Sequence, residues 1–434
     1  MTKTPSRIEY ASNSQEAGSV CHHCQQPHSQ PADNPAKIRA AIFFDGTLNN
    51  RTNTEQGQNG IIKGDSYKND FTNIAILERH YNGTADYNYC FSQYIEGIGT
   101  EDKESDTVNG KAFGWGSTGI RGKVEKGITK VMENITHRLE NSQRIEFLHL
   151  DCFGFSRGAA AARHFIHAAL FREKDTLVSK LQSSGHFVGE VKIRFVGLYD
   201  TVASYGLSNH NDTFDLDLDA IRHAEYVVQL AAAEEHRQHF ALTNIDSAPH
   251  GIQLFLPGCH SDIGGGYADN EDEVDHQVMV VYGKNGLSTA DEAALVRERE
   301  WLLASGWYHK DEIQEVDIFN RLKVTRRSIS NWFHRIPLKI MAEHATEKGV
   351  IFRPALMRNY KIPSCLKEIE SFILGSPMSS PDYWLNLNTD MMKRLRHDFL
   401  HFSACFEEFS GCNLPRFTND DLVNGSRERE VLNG

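Results

Sequence analysis

The sequence predicts an α/β fold, with a mostly parallel sheet covered by helices on both faces and a helical cap or C-terminal region behind it. Three observations predict it. Short apolar runs of strand length alternate with helical stretches up to about residue 285, the pattern of a covered parallel sheet. Several of those runs stop abruptly at Asp, Ser or His, beyond the carboxyl ends of strands, where functional residues of such sheets collect. And 434 residues, 40% of them apolar, suffice for a large buried core.

Residues 1–36 read as a polar leader ending in a Pro-rich turn. Ile38–Phe44 is a short apolar run closed by Asp45-Gly46-Thr47, a buried strand and its turn. Residues 50–120 are polar and Gly-rich with little periodicity. Gly122–Leu139 reads as a helix, Ile145–Phe155 as a strand and Arg157–Phe171 as an alanine-rich helix. Val191–Tyr199 is a strand closed by Asp200-Thr201, residues 217–240 read as helical, and Ile252–Pro257 is a strand ending at Gly258-Cys259-His260. Past residue 285 strands thin out, and Ala290–Gly306 and Arg335–Thr346 read as helices. The expected organisation is a leader at 1–36, a catalytic domain at 37–285 and a helical cap or C-terminal region at 286–434.

A formal net charge of −12 gives no basic excess for gripping nucleic acid. No run approaches the ~20 apolar residues of a membrane-spanning helix. The first twenty residues lack the apolar centre of a signal peptide, so export is expected to use another route. The eight cysteines are scattered and read as free thiols. Cys21, His22, His23, Cys24 and His28 offer half a zinc site without the second pair of ligands. No metal or cofactor is expected.

Chemistry concentrates at Gly154-Phe155-Ser156-Arg157-Gly158, a G-x-S-x-G pattern between a strand and a helix. In that setting the serine sits on a sharp turn above the sheet, and small residues on either side let strand and helix approach. Ala159–Ala162 keep the following helix close. A serine needs a base and the base an orienting carboxylate. In the order Ser, acid, His the strand ends offer Asp200 and His260. His223 remains a rival base and Asp262 a rival acid. The oxyanion donors are expected from Arg157, the residue after the nucleophile, and from the loop at Gly46. The run Gly264-Gly265-Gly266 lacks the lysine and spacing of a phosphate loop. Ala41–Leu48 is similar to a dehalogenase-type phosphatase motif, but Phe43 stands where that chemistry needs its nucleophilic aspartate.

Phe44-Asp45-Gly46-Thr47 with Asn49, then Gly154–Gly158, Asp200-Thr201-Val202 with Gly206, and His260–Tyr267 occur in the order seen in type VI secretion lipase effectors, which the chain resembles from about residue 37 to 352. Arg335–Met341 is similar to a further block of that family. The resemblance implies an α/β-hydrolase fold and hydrolysis of acyl esters in membrane phospholipid, as an antibacterial effector. It also implies a cognate immunity protein, a secretion spike or carrier protein, and delivery from the cytoplasm into a target cell's envelope. It supports Ser156, Asp200 and His260 as the triad. The alternatives are a serine hydrolase of soluble esters and a catalytically idle binding component of the secretion machine. Arg321–Lys339, basic and carrying Trp332 and Phe333, is a candidate segment for meeting lipid. The acidic run Asp269–Asp275 is read as solvated rather than as a calcium site.

Overall fold

Residue Ala36 begins the innermost layer. The computed structural model describes residues 34–107, 117–170, 176–203, 216–281, 288–406, 413–415 and 427–434. The cysteine–histidine cluster at 21–28 and Gly206 lie outside them. Strands β1 (Ala36–Phe44), β2 (Tyr81–Asn82), β3 (Tyr89–Ile95), β4 (Ile145–Phe155), β5 (Val188–Tyr199), β6 (Val227–Ala232), β7 (Leu242–Thr243) and β8 (Gly251–Leu256) precede β9 (Glu271–Val280), β10 (Arg321–Ile329), β11 (Ile351–Phe352) and β12 (Val431–Leu432). Six form one sheet in the order β3-β1-β4-β5-β6-β8, with every neighbouring pair parallel.

The pleat sends alternate residues to opposite faces. From β1, Ala41 and Phe43 enter one core with Phe153, Phe195 and the helix Arg335–Glu347. Ala40, Ile42 and Phe44 enter the other, with the helices Ile120–Arg138 and Arg157–Leu170. Both faces are therefore dry, which is why these strands read as continuous apolar runs. A charged pair is buried within this sheet: Arg39 Nε meets Asp151 Oδ2 at 2.7 Å, and Arg39 Nη2 reaches Asp151 Oδ1 at 3.1 Å. Each ion answers the burial of the other.

Two stretches depart from the sequence reading. Residues 217–240 are not one helix: a 3₁₀ turn at Leu218–His223 is followed by β6. All six residues of β6 are buried, because a strand flanked by β5 and β8 has no wet face, and its apolar run imitates a helical stripe. The polar stretch 50–120 contributes β3, which pairs with β1 from Ile38↔Tyr89 to Phe44↔Ile95. Beyond residue 286 helices dominate, but Arg321–Ile329 is a strand, antiparallel to β9. The core above the first face continues without a break into this region through Trp307, Trp384 and Leu395.

Candidate active site

Strand β4 delivers Ser156 to the carboxyl edge of the sheet. Its φ is 59°, a left-handed conformation that costs a non-glycine residue about 1–3 kcal/mol. The serine N–H donates to Tyr199 O at 3.0 Å, tying the turn to β5. The two glycines of the motif have measurable reasons. A Cβ on Gly154 would lie 2.4 Å from Gly158 O, and one on Gly158 would lie 2.2 Å from Asp45 O. Helix Arg157–Leu170 thus runs against the end of β1, and Ala159–Ala162 are wholly buried beneath it.

Asp200 follows β5 one strand away, with φ 46° and its N–H on Leu230 O at 2.8 Å. Its Oδ2 lies 2.5 Å from His260 Nδ1. His260 opens the short helix His260–Gly264 after β8, and its N–H donates to Glu235 Oε2 at 3.1 Å. The imidazole packs against Phe155, ring centroids 4.6 Å apart, and Phe240, 5.0 Å apart. Phe155 immediately precedes Ser156, so the imidazole that pairs with Asp200 packs on the residue next to the serine.

Electrostatics divide the roles. Burial pushes the Asp200 carboxyl up, but the Arg429 charge and the His260 hydrogen bond outweigh it and hold the group below its ordinary value. Burial lowers His260, against the pull of Asp200. A neutral imidazole with Nδ1–H on Asp200 leaves Nε2 as the proton acceptor. The rivals fall elsewhere. Asp262 accepts from the Cys259 N–H at 2.8 Å and pairs with His401 Nδ1 at 2.9 Å. His223 is exposed on its 3₁₀ turn, where its Nε2 accepts from Arg222 Nε at 3.0 Å.

The loop Asp45–Thr47 packs against the elbow and is built around a buried acid. Asp45 accepts from Tyr94 Oη at 2.5 Å, Thr72 Oγ1 at 2.7 Å and the Gly46 N–H at 2.8 Å. Burial raises its pKa to about 6. The Gly46 N–H is therefore turned onto Asp45, and its use for an oxyanion requires that bond to open or be shared. Arg157 Nε donates to Thr47 Oγ1 at 2.7 Å, stitching the loop to the elbow. The three glycines after His260 serve close packing: a Cβ on Gly264 would lie 2.1 Å from the Phe155 ring, and Gly265 bridges to Thr72.

Sequence reasoning missed Arg429. Its Nη1 lies 2.6 Å from Asp200 Oδ1 and its Nη2 2.9 Å from Oδ2. No local pattern marks it, since it stands among alternating charges. The basic segment Arg321–Lys339 is also corrected. Arg326 is buried on Glu273, Arg327 pairs with Asp272, and Phe333 is in the core. The acidic run 269–275 lies mostly on β9, with Asp272 and Glu273 engaged by those β10 arginines. Among the described residues no group of three or more His, Cys, Asp or Glu is placed to hold a metal.

Residues 167–290 match the family described as type VI secretion system, phospholipase effector Tle1-like, catalytic domain. The match spans less than a third of the chain. The Tle1-like match contains Asp200 and His260, and Ser156 lies just before it. The fold is similar to that in a structure of the Tle1 effector bound to the VgrG spike from the type VI secretion system. That likeness has a TM-score of 0.62 and 22% identity, and covers 92% of this chain and 94% of that one. An uncharacterised protein from Pseudomonas aeruginosa aligns at TM-score 0.46 and 17% identity, over 82% of this chain and 53% of that one. No curated protein sequence matches the chain.

Proposed function

We propose that the chain is a phospholipase effector of type VI secretion that cuts acyl esters of membrane phospholipid with Ser156, Asp200 and His260. The observation that carries this reading is the left-handed Ser156 beside the 2.5 Å Asp200–His260 pair, in a Tle1-like chain. His260 Nε2 takes the Ser156 hydroxyl proton as Oγ attacks the ester carbonyl. Asp200 holds the tautomer and faces the imidazolium that forms. The Arg157 N–H, at the first turn of its helix, is directed to the developing oxyanion. The imidazolium then protonates the departing alcohol, and water activated by the same ring releases the fatty acid.

A lipid surface is met by a local feature, since the overall charge is acidic. Ile318 is 90% exposed and Phe319 62% exposed at a turn tip, with Val316 beside them. Asp317 pins that tip by accepting from the Phe319 and Arg321 N–H groups. Two large apolar side chains held out in water fit insertion among lipid headgroups. Among the described residues no helix is long and apolar enough to cross a membrane. A spike or carrier protein and a cognate immunity protein are its proposed partners, and the envelope of a target cell is its proposed site of action.

The test is hydrolysis of fluorescent phospholipid in vesicles, with fluorophosphonate labelling of the same samples. Ser156→Ala is expected to lose both; lipid hydrolysis at the wild-type rate in that variant would overturn the proposal.

A further inference from the structure

We propose that Arg429 is a positioning residue of this site, and that segment 427–434 is a strap whose seating fixes the Asp200 carboxylate for His260. This rests on the triad reading above. An ionised carboxylate offers about four acceptor positions, and at Asp200 four donors reach it. Oδ1 accepts from the Ala232 N–H at 2.8 Å and from Arg429 Nη1 at 2.6 Å. Oδ2 accepts from His260 Nδ1 at 2.5 Å and from Arg429 Nη2 at 2.9 Å. The guanidinium therefore grips the acid as a two-pronged fork, which fixes the rotation of the carboxylate as well as its position.

Arg429 is itself held. Its Nε donates to Phe240 O at 2.7 Å, and Phe240 packs its ring on His260. The strap continues as β12, parallel to β7: Leu242 N–H donates to Glu430 O and Asn244 N–H to Leu432 O, both at 2.9 Å. At its other end Arg427 pairs with Glu298 and lies over the Trp301 ring, on the helix Thr289–Ser305. The strap thus joins the sheet to the helix Thr289–Ser305, and it reaches the proposed triad through the fork on Asp200. Such second contacts orient a catalytic group without touching substrate.

The fork has an electrostatic signature. The charged groups acting on His260 are Asp200 at the end of β5, and Glu235 and Arg237 from the segment after β6. Arg429 acts on it through Asp200. With the guanidinium removed, the full carboxylate charge falls on His260 and raises its pKa.

The experiment measures kcat, KM and the pH profile on fluorescent phospholipid in mixed micelles for Arg429→Gln, Arg429→Lys and Arg429→Ala. Arg429→Gln is expected to lose about tenfold or more in kcat with KM within about twofold, because the acid can rotate. Its acid limb is expected to move to higher pH. Arg429→Lys keeps the charge and loses the fork, so kcat falls while the limb stays near the wild-type position. Methylguanidinium is expected to restore activity to Arg429→Ala. Wild-type kcat and limb in Arg429→Gln would overturn the proposal. So would losses that track only the folded fraction, with an unmoved limb and no rescue. If Arg429→Ala does not fold, Arg429→Lys decides: wild-type kcat in that variant overturns the clamp. Ser156→Ala run in parallel separates the two readings. An active Ser156→Ala removes the triad, whereas a dead one beside unaffected Arg429 variants removes the clamp alone.

Discussion

Gly158→Ala tests the elbow without touching a reacting group. The added Cβ would lie 2.2 Å from Asp45 O, 2.5 Å from Phe44 O and 2.7 Å from Asp45 C. These are backbone atoms at the end of β1, in a loop that Thr72 and Tyr94 hold through Asp45. A carbon sits no closer than about 3.3 Å to a carbonyl oxygen, so helix and strand must separate by roughly 1 Å. Overpacking on this scale costs about 1–3 kcal/mol of stability. A displacement of about 1 Å at the serine costs roughly 100-fold in rate. The assay pairs phospholipid turnover with urea unfolding, and Gly375→Ala serves as the control. There the nearest atom to a new Cβ is Ser371 O at 3.4 Å, an ordinary contact. Wild-type turnover and an unchanged unfolding midpoint in Gly158→Ala would refute the packing argument.

Three further outcomes are expected. Burial holds His260 below its ordinary imidazole value, so the acid limb of kcat/KM should fall below about pH 6.5, the unperturbed histidine value; a limb above pH 7 in the wild type contradicts this. Ile318→Asp with Phe319→Asp should weaken hydrolysis in vesicles by about tenfold or more, given roughly 1.5–3 kcal/mol per buried side chain. Turnover in detergent-dispersed substrate should hold, and equal losses in both formats would count against the lipid-docking tip. The raised Asp45 acts on stability with a definite sign. Its folded value of about 6 exceeds the ordinary 3.8, so stability should fall as pH rises through this window, by on the order of 3 kcal/mol. Asp45→Asn should flatten that part of a urea-midpoint profile, and an undiminished slope would reject the assignment.

What was legible in the sequence follows how local each signal is. The elbow at Ser156 could be read because a strand, a sharp turn and an alanine-rich helix are all written within 26 residues. Asp200 and His260 could be read because each closes an apolar strand run. β6 could not, because Val227–Ala232 is buried on both sides and carries no period of two. β3 was hidden in a polar stretch whose strand character comes from pairing with β1. Asp200 and Asp262 are told apart only in three dimensions: the first pairs with His260 and the second with His401. Arg429 was illegible, since its meaning lies in a contact with a residue more than two hundred positions earlier.

The fork on Asp200 also sets an order of assembly during synthesis. Ser156, Asp200 and His260 leave the ribosome well before Arg429. At roughly 5–20 residues per second, the roughly 170 residues between His260 and Arg429 take on the order of ten to thirty seconds. Throughout that interval the Asp200 carboxylate lacks two of its four donors. A nascent chain therefore carries the residues of the proposed site for some time before the guanidinium that would clamp Asp200 is made.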